Sequence, residues 1–355
     1  MRRRRVVFSL VVLGILCFLL HSVFTLLTLL FEDASADAIP AGELSLNSTV
    51  TSARPSVIPK IIHQTYKNET IPEIWSEAQR SCIDLHPDYQ YILWTDEKAY
   101  SFISIHYDWF LGTFESYKYP IQRADTIRYF VLSQMGGIYI DLDNGCNRRL
   151  DPLLSYPAWV RRTTPTGISN DAMGSIPQHP FFLRVIQSLK SYNRSWFLPY
   201  ITIMYTTGPL FLSVIWKEYM RSGPDNADRV RVVMRDEYMH RPWSFFTHHQ
   251  GNSWHRDDAR LIFWLGAHWQ TVTVLGIASV LAIGMCLWLL YSRLLQFASR
   301  YHNKYGNLRV PASGTGPKGS PPAYHPLRRC RSYYTDSSAS PPHTSTQSDK
   351  LSPNP

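Results

Sequence analysis

The chain has 355 residues, 45% of them hydrophobic, with a formal net charge of +9. That is too apolar for a disordered chain and enough to build one large domain or two small ones. The charge does not mark a polyanion binder. Arg2 to Arg5 supply four positive charges, and from Tyr291 onward nine Lys/Arg face two Asp/Glu, which leaves the body of the chain slightly acidic.

The first element in chain order is an uncharged apolar run over residues 6–31, directly after the arginines of residues 1–5. It exceeds the about 20 residues that cross a bilayer core, and the basic residues before it place the N-terminus in the cytosol. The alternative is a cleaved signal peptide, with Ala34-Ser35-Ala36 or Ala36-Asp37-Ala38 as the cleavage site, but the run is longer than the usual apolar core of about 7–15 residues. Residues 32–56, polar and rich in small side chains, read as a stem.

The working domain is read over residues 57–260. β-branched and aromatic runs predict strands over 57–63 and 89–94, with a helix over 74–84 between them and another within 101–117. The clearest helix is predicted over 121–134, where Ile121, Ala124, Ile127 or Arg128, Val131 and Met135 recur at helical spacing and Gly136-Gly137 stops the run. A strand follows over 138–140. Alternating strands and helices predict an α/β layer, with ligands at the carboxyl ends of its strands.

A second uncharged apolar stretch gives a second transmembrane helix over 268–291. Trp264 and Trp269 lie at its entry, Trp288 and Tyr291 at its exit, and Arg293, Arg300, Lys304 and Arg309 follow. Both termini are then cytosolic and the domain between the helices lumenal; a buried core helix is the competing reading. Residues 292–355 form a basic, Pro/Ser-rich tail expected to be disordered. The sequons at Asn47, Asn68 and Asn193 agree with this topology. Only Cys82 and Cys146 could pair in the lumen, and their spacing does not show whether they do.

Asp141 and Asp143 end the apolar strand two residues apart, so both carboxylates project from one face of an extended chain. Such a pair can hold a hard divalent cation and leave coordination positions for a diphosphate, against the plain reading of two solvated turn residues. Asp125 and Arg128, three apart on the predicted helix, could bind sugar hydroxyls and phosphate or form an ordinary surface pair. Asn170 and Asp171 are hydroxyl ligands or Asx-turn residues.

Taken together, Ile58-Pro59-Lys60-Ile61-Ile62-His63-Gln64-Thr65-Tyr66, Asp125-x-x-Arg128-Tyr129 and Gly136-Gly137-x-Tyr139-x-Asp141-x-Asp143 resemble glycosyltransferase family 32 in order and spacing, and within it the fungal mannosyl inositol phosphorylceramide synthase catalytic subunits. The resemblance runs from about Val57 to Trp254 and takes in His179-Pro180-Phe181, Thr207-Gly208-Pro209 and His249-x-x-x-Ser253-Trp254.

It implies a GT-A fold, a nucleotide sugar, Mn²⁺ and retention of anomeric configuration. By resemblance Asp141 and Asp143 handle metal and nucleotide, with His249 completing the metal site. Asp125 and Arg128 grip the donor sugar; Tyr139 lies beside the nucleotide; His63, Gln64 and Tyr66 belong to the donor motif, although family members more usually carry Trp where this chain has Tyr66. Asn170 contacts hydroxyls, and Ser253 and Trp254 cover the diphosphate. No covalent nucleophile is assigned, and Asp171 remains a candidate base.

The second span and the rings and arginines before it suit a lipid headgroup, which points to mannose transfer from GDP-mannose to inositol phosphorylceramide in sphingolipid biosynthesis at the Golgi membrane, with a regulatory membrane subunit implied by resemblance. The competing functions are a Golgi mannosyltransferase for N-glycans or glycoproteins and a non-catalytic membrane adaptor.

Overall fold

The computed structural model describes residues 2–45, 54–164, 166–239, 241–249, 251 and 257–305. The chain divides into two units, residues 1–275 and 276–355. The described part of the second unit is wholly helical.

Helix α1 (Arg2–Leu30) carries the first apolar run. Strand β1 (Ile61–Thr65) is followed by α2 (Glu73–Leu85), β2 (Gln90–Trp94), α3 (Asp96–His106), α4 (Asp108–Ser116) and α5 (Pro120–Met135). The single helix predicted within 101–117 is thus a pair. Thr95 caps α3 by accepting from the Lys98 backbone N–H at 3.2 Å, and Asp96 and Glu97 face the positive end of its dipole.

Helix α5 starts on Pro120, where a missing N–H costs nothing, and the Gln122 side chain accepts from the Tyr119 backbone N–H at 3.0 Å. It ends at Gly136, whose φ of 66° and close approach to Pro177 and Ser175 admit no β-carbon. Gly137, at φ 96°, lies equally tight against the Ile61 carbonyl. The Gly-Gly pair is therefore required by the close passage of the chain into β3 (Gly137–Ile140).

After β4 (Asn144–Cys146) come β5 (Ala158–Arg162), β6 (Ile168–Ser175), α6 (Pro180–Tyr192), α7 (Pro199–Thr206), α8 (Pro209–Arg221), β7 (Arg231–Val233) and β8 (Phe246–His248). The six-stranded sheet has the order β2-β1-β3-β6-β5-β7, with β1 parallel to β2 and β3, and β6 antiparallel to β3 and β5. Successive residues of β3 face opposite cores: Tyr139 packs with Phe130 and Met173, while Ile138 and Ile140 pack with Ile62 and Trp159. The fold is a mixed α/β sheet covered on both faces.

Two expectations change. Glu32 to Leu44 is no free spacer: Ala34, Ile39 and Leu44 are buried, the Ile39 N–H donates to the Val232 carbonyl at 2.9 Å, and Asp37 pairs with Arg229. Apolar residues interspersed in a polar stretch give it a surface to pack. Residues beyond the second apolar stretch also remain helical, in α10 (Trp269–Tyr305), preceded by α9 (Asp257–Ala267). No Gly or Pro interrupts the sequence from Met285 to Tyr305, so nothing stops the helix at the membrane exit. Among the described residues one helical stretch, Trp269–Arg300, is long and apolar enough to cross a membrane.

Cys82 and Cys146 form a disulfide that ties α2 to β4. Asn68 and Asn193 lie among the described residues; Asn47 and the expected tail from residue 306 lie outside them.

His179 caps α6, its Nδ1 accepting from the Phe181 backbone N–H at 3.2 Å while Nε2 is buried without a partner. Burial moves its pKa down to about 4 from an ordinary 6.5. The unfolded chain therefore takes up a proton below 6.5 that the folded chain refuses; this contribution to stability is complete above 6.5 and is lost as pH falls toward 4. Asn keeps the cap and does not titrate. From pH 7.5 to 5, His179→Asn is expected to gain about 2 kcal/mol relative to wild type in denaturant unfolding.

Candidate functional site

A cavity of about 590 Å³ opens at the carboxyl end of β3, within the usual size range of small-molecule sites. It is lined by Asp125, Arg128, Asp141, Asp143, Asn170 and Asp171, with Tyr66, Trp75, Asp96 and Tyr119 among its other walls.

The aspartate pair is not on an extended strand. Strand β3 ends at Ile140, and Asp141-Leu142-Asp143 turns, with the Asn144 N–H donating to the Asp141 carbonyl at 3.0 Å. Two backbone bonds and a strand pairing fix this turn on both sides. The Asp141 N–H donates to the Asp171 carbonyl, the His249 N–H donates to the Asp143 carbonyl, each at 2.7 Å, and β4 pairs antiparallel with β8.

Asp141 is held from beneath. The Tyr139 hydroxyl donates to its Oδ1 at 2.7 Å, and Arg128 Nη1 reaches Oδ2 at 3.2 Å. Arg128 also pairs with Asp125 Oδ1 at 3.0 Å, donates to the Asn170 carbonyl at 2.8 Å and stacks over the Tyr139 ring. Asp125 in turn accepts from Asn170 Nδ2 at 3.0 Å and from the Thr207 hydroxyl at 3.1 Å. Burial pushes Asp125 up to about 7 against the pull of Arg128. Asp125 and Arg128 thus form the buried base of the cavity, not a surface pair.

Asp171 belongs to a second ion pair. Arg161 Nε donates to its Oδ1 at 2.6 Å, and the Tyr238 hydroxyl and Asn144 Nδ2 donate to Oδ2 at 2.8 and 3.2 Å. Although burial opposes it, the Arg161 charge and these donors hold Asp171 well below the usual carboxylate range. A carboxylate so firmly ionised is a poor proton acceptor.

Asp143 contrasts with both. Its Oδ1 is buried and has no partner, and burial together with the charges of Asp141 and Asp171 pushes it up to about 7. Its Oδ2 lies where a β-carbon on Gly251 would have to go, so a larger residue at 251 would require the Asp143 carboxylate to move.

The cavity lining carries five aspartates, Asp96, Asp125, Asp141, Asp143 and Asp171, against Lys67, Arg128 and Arg161, so with every carboxylate ionised it holds an excess of two negative charges. An anionic diphosphate would be repelled by that wall; a divalent cation would bring it to neutrality. The orphaned Asp143 oxygen and this charge balance fit such an ion. Among the described residues no three His, Cys, Asp or Glu side chains converge to enclose a metal.

The other residues singled out in the sequence divide clearly. Tyr66 lines the cavity, edge-on to Trp75 at 5.9 Å. Tyr139, His63 and Gln64 are fully buried and are not among its lining residues. Trp94 Nε1 donates to His63 Nδ1 at 3.1 Å, which leaves Nε2–H to donate to the Gly136 carbonyl at 2.8 Å; burial lowers this histidine to about 4 and keeps it neutral. Gln64 Oε1 accepts from the Tyr91 hydroxyl at 2.8 Å. His249 meets the site through its backbone, and it is His248 that is among the cavity's lining residues. Ser253 and Trp254 lie outside the described residues. Trp75, Asp96, Tyr119, Arg161 and Tyr238 were not read from sequence; a Trp-Val-Arg-Arg strand end was the only local signal, marking Arg161.

The family described as a glycosyltransferase sugar-binding region containing a DXD motif matches residues 72–159, which include the Asp141 turn. "Mannosyl phosphorylinositol ceramide synthase SUR1" of Saccharomyces cerevisiae is 55% identical over 258 residues, 73% of this chain and 67% of the relative. "Inositol phosphoceramide mannosyltransferase 2" of Schizosaccharomyces pombe is 48% identical over 282 residues, 76% of this chain and 79% of the relative. Among solved structures, "PaToxG Glycosyltransferase" is 16% identical with a TM-score of 0.37, covering 48% of this chain and 74% of that one. With its DXD turn in the cavity wall and relatives of this identity over most of its length, the chain belongs to the DXD-containing glycosyltransferases, in the family of the inositol phosphoceramide mannosyltransferases.

Proposed function

We propose that this enzyme transfers mannose from GDP-mannose to inositol phosphorylceramide, with retention of configuration, on a GT-A domain that uses Mn²⁺. The observation that carries the reading is Asp143, half-buried beside Asp141 with its buried Oδ1 left without a partner, in a cavity lined by five aspartates against three basic side chains. Asp143, with Asp141, would hold the divalent ion, which as a Lewis acid neutralises charge on the leaving diphosphate. Arg128 and Tyr139 orient Asp141, and Arg161 and Tyr238 orient Asp171, whose backbone carbonyl fixes the turn.

Of the lining carboxylates, Asp125, Asp143 and Asp171 do not suit a covalent nucleophile. Asp125 and Asp171 are committed to ion pairs and donors, and Asp143 is committed to the cation. This supports displacement on the front face, in which the acceptor hydroxyl passes its proton to the departing phosphate oxygen.

GDP as the nucleotide is supported by Asp96, which lines the cavity together with the aromatic residues Tyr66, Trp75 and Tyr119. Guanine offers two adjacent donors on its pairing edge, which a carboxylate can accept together; uracil offers one donor between two acceptors. Asp96→Asn is expected to weaken GDP binding about tenfold or more by calorimetry, with UDP binding unchanged.

The disulfide supports an oxidising lumen for the domain, and basic residues outside both apolar helices support two spans with cytosolic termini at the Golgi membrane. A regulatory membrane subunit completes the proposed assembly. To test the acceptor, inositol phosphorylceramide and a mannosyl oligosaccharide are offered together with labelled GDP-mannose; label on the lipid is expected, and label on the oligosaccharide alone would replace this reading with a glycoprotein mannosyltransferase.

A further inference from the structure

Helix α7 has the cavity at one end and an uncovered aromatic tip at the other. Ile203 lines the cavity, and just past the helix Thr207 bonds Asp125. Before its first residue, Pro199, the chain turns through Trp196-Phe197-Leu198. Phe197 is 99% exposed and Trp196 47%. The tip is not loose: the Thr202 hydroxyl accepts from the Trp196 N–H at 2.9 Å, and the Trp196 ring meets Tyr205 edge-on at 5.4 Å. The chain is thus anchored at Trp196 and leaves the neighbouring Phe197 side chain in solvent, where it gains nothing from burial.

A second segment meets it. The Tyr200 N–H donates to Asp258 Oδ2 at 2.6 Å, and the Tyr200 ring packs edge-on against Phe263 at 5.5 Å. These contacts join α7 to α9, which exposes Leu261 and Trp264 and is followed, after His268, by the apolar stretch Trp269–Arg300. Rings exposed on two segments about sixty residues apart are thus brought together next to the start of a membrane-length helix. Arg194 adds an exposed positive charge two residues before Trp196, suited to anionic headgroups.

We propose that Trp196, Phe197 and Ile201, with Leu261 and Trp264 of α9, form a surface that inserts into the headgroup layer of the membrane and holds the cavity mouth at the depth of the phosphorylated acceptor. The occupant is the bilayer, because the surface is continuous in sequence with a helix long enough to cross one and is built of the rings that favour its interface. Ile203 lies four residues beyond Pro199, about 6 Å of helix rise, so a tip in the interface leaves the cavity wall within the headgroup region.

The role assigned to this surface rests on the lipid acceptor proposed above, but its depth can be measured without any reaction. The full chain, with Cys17, Cys286 and Cys330 replaced by Ser, is labelled with a nitroxide at Phe197→Cys, Trp264→Cys or Glu77→Cys and placed in phosphatidylcholine nanodiscs containing phosphatidylinositol. Labels at 197 and 264 are expected to collide with oxygen more than with a water-soluble nickel chelate, and the label at 77, on exposed α2, the reverse. A label at 197 as open to nickel as that at 77 overturns the surface even if mannosylated lipid is made. Insertion with no mannosyl transfer to lipid would sink the acceptor reading and leave the surface standing. Phe197→Asp is expected to lower transfer to acceptor in vesicles about tenfold with GDP affinity unchanged; equal loss of both would show a folding defect and count against the positioning role.

Discussion

Asp143→Asn is expected to lower mannosyl transfer by about a thousandfold or more while the protein melts at the same temperature or higher. The two effects separate because of where the charge lies. Asp143 Oδ1 has no partner, its pKa is pushed up to about 7 by burial and by Asp141 and Asp171, and nothing in the folded protein depends on its ionised form. A group whose folded pKa is raised stabilises the fold below its unfolded pKa and progressively less as pH rises through the folded value. At pH 8 in EDTA the neutral amide is therefore expected to raise Tm by about 2–4 °C, the shift that about 1 kcal/mol makes in a domain of this size. Activity falls because the amide cannot hold the cation. Differential scanning calorimetry beside an activity assay reads both; a fall in Tm matching the fall in activity would make Asp143 a structural residue.

Arg128→Met is the second large effect, and it is expected to act on the fold. The guanidinium is buried, bridges Asp125 and Asp141 and donates to the Asn170 carbonyl. Removing it strands two carboxylates at the base of the cavity. Breaking a buried pair on one side costs roughly 3–5 kcal/mol, so urea unfolding should show a loss in that range. Arg128→Lys keeps the charge and loses the fork that reaches both aspartates, so an intermediate loss is expected. Wild-type stability in Arg128→Met would contradict the bridging role, whatever the activity.

These two residues show what could be read without coordinates. The turn of α5 into β3 was legible because Gly136-Gly137 interrupts a helical pattern and a short apolar run follows; both glycines prove to have positive φ. The aspartates after that run marked the site. Their relation did not follow, since a period of two holds only while the chain stays extended, and the strand ends at Ile140. Arg128 was legible as a functional neighbour of Asp125, but its reach to Asp141 across α5 and β3 depends on packing. Arg161 and Tyr238, which hold Asp171, come from segments 10 and 67 residues away, and no local pattern links them. His63 is the reverse case: a histidine in a signature motif invites a ligand role, and here β1 buries it between Trp94 and the Gly136 carbonyl. The disulfide joins residues 64 apart, a distance over which spacing carries no information.

The central claim is that the carboxylates of the Asp141 turn serve metal-assisted mannosyl transfer to a lipid. Its most direct measurement uses membranes carrying the full chain, GDP-mannose and inositol phosphorylceramide, with mannosylated lipid read by mass spectrometry with Mn²⁺, with EDTA, and in Asp143→Asn. The account predicts product in the first case and none in the other two, with activity restored when Mn²⁺ is returned after EDTA. Undiminished product in EDTA or in Asp143→Asn would contradict it.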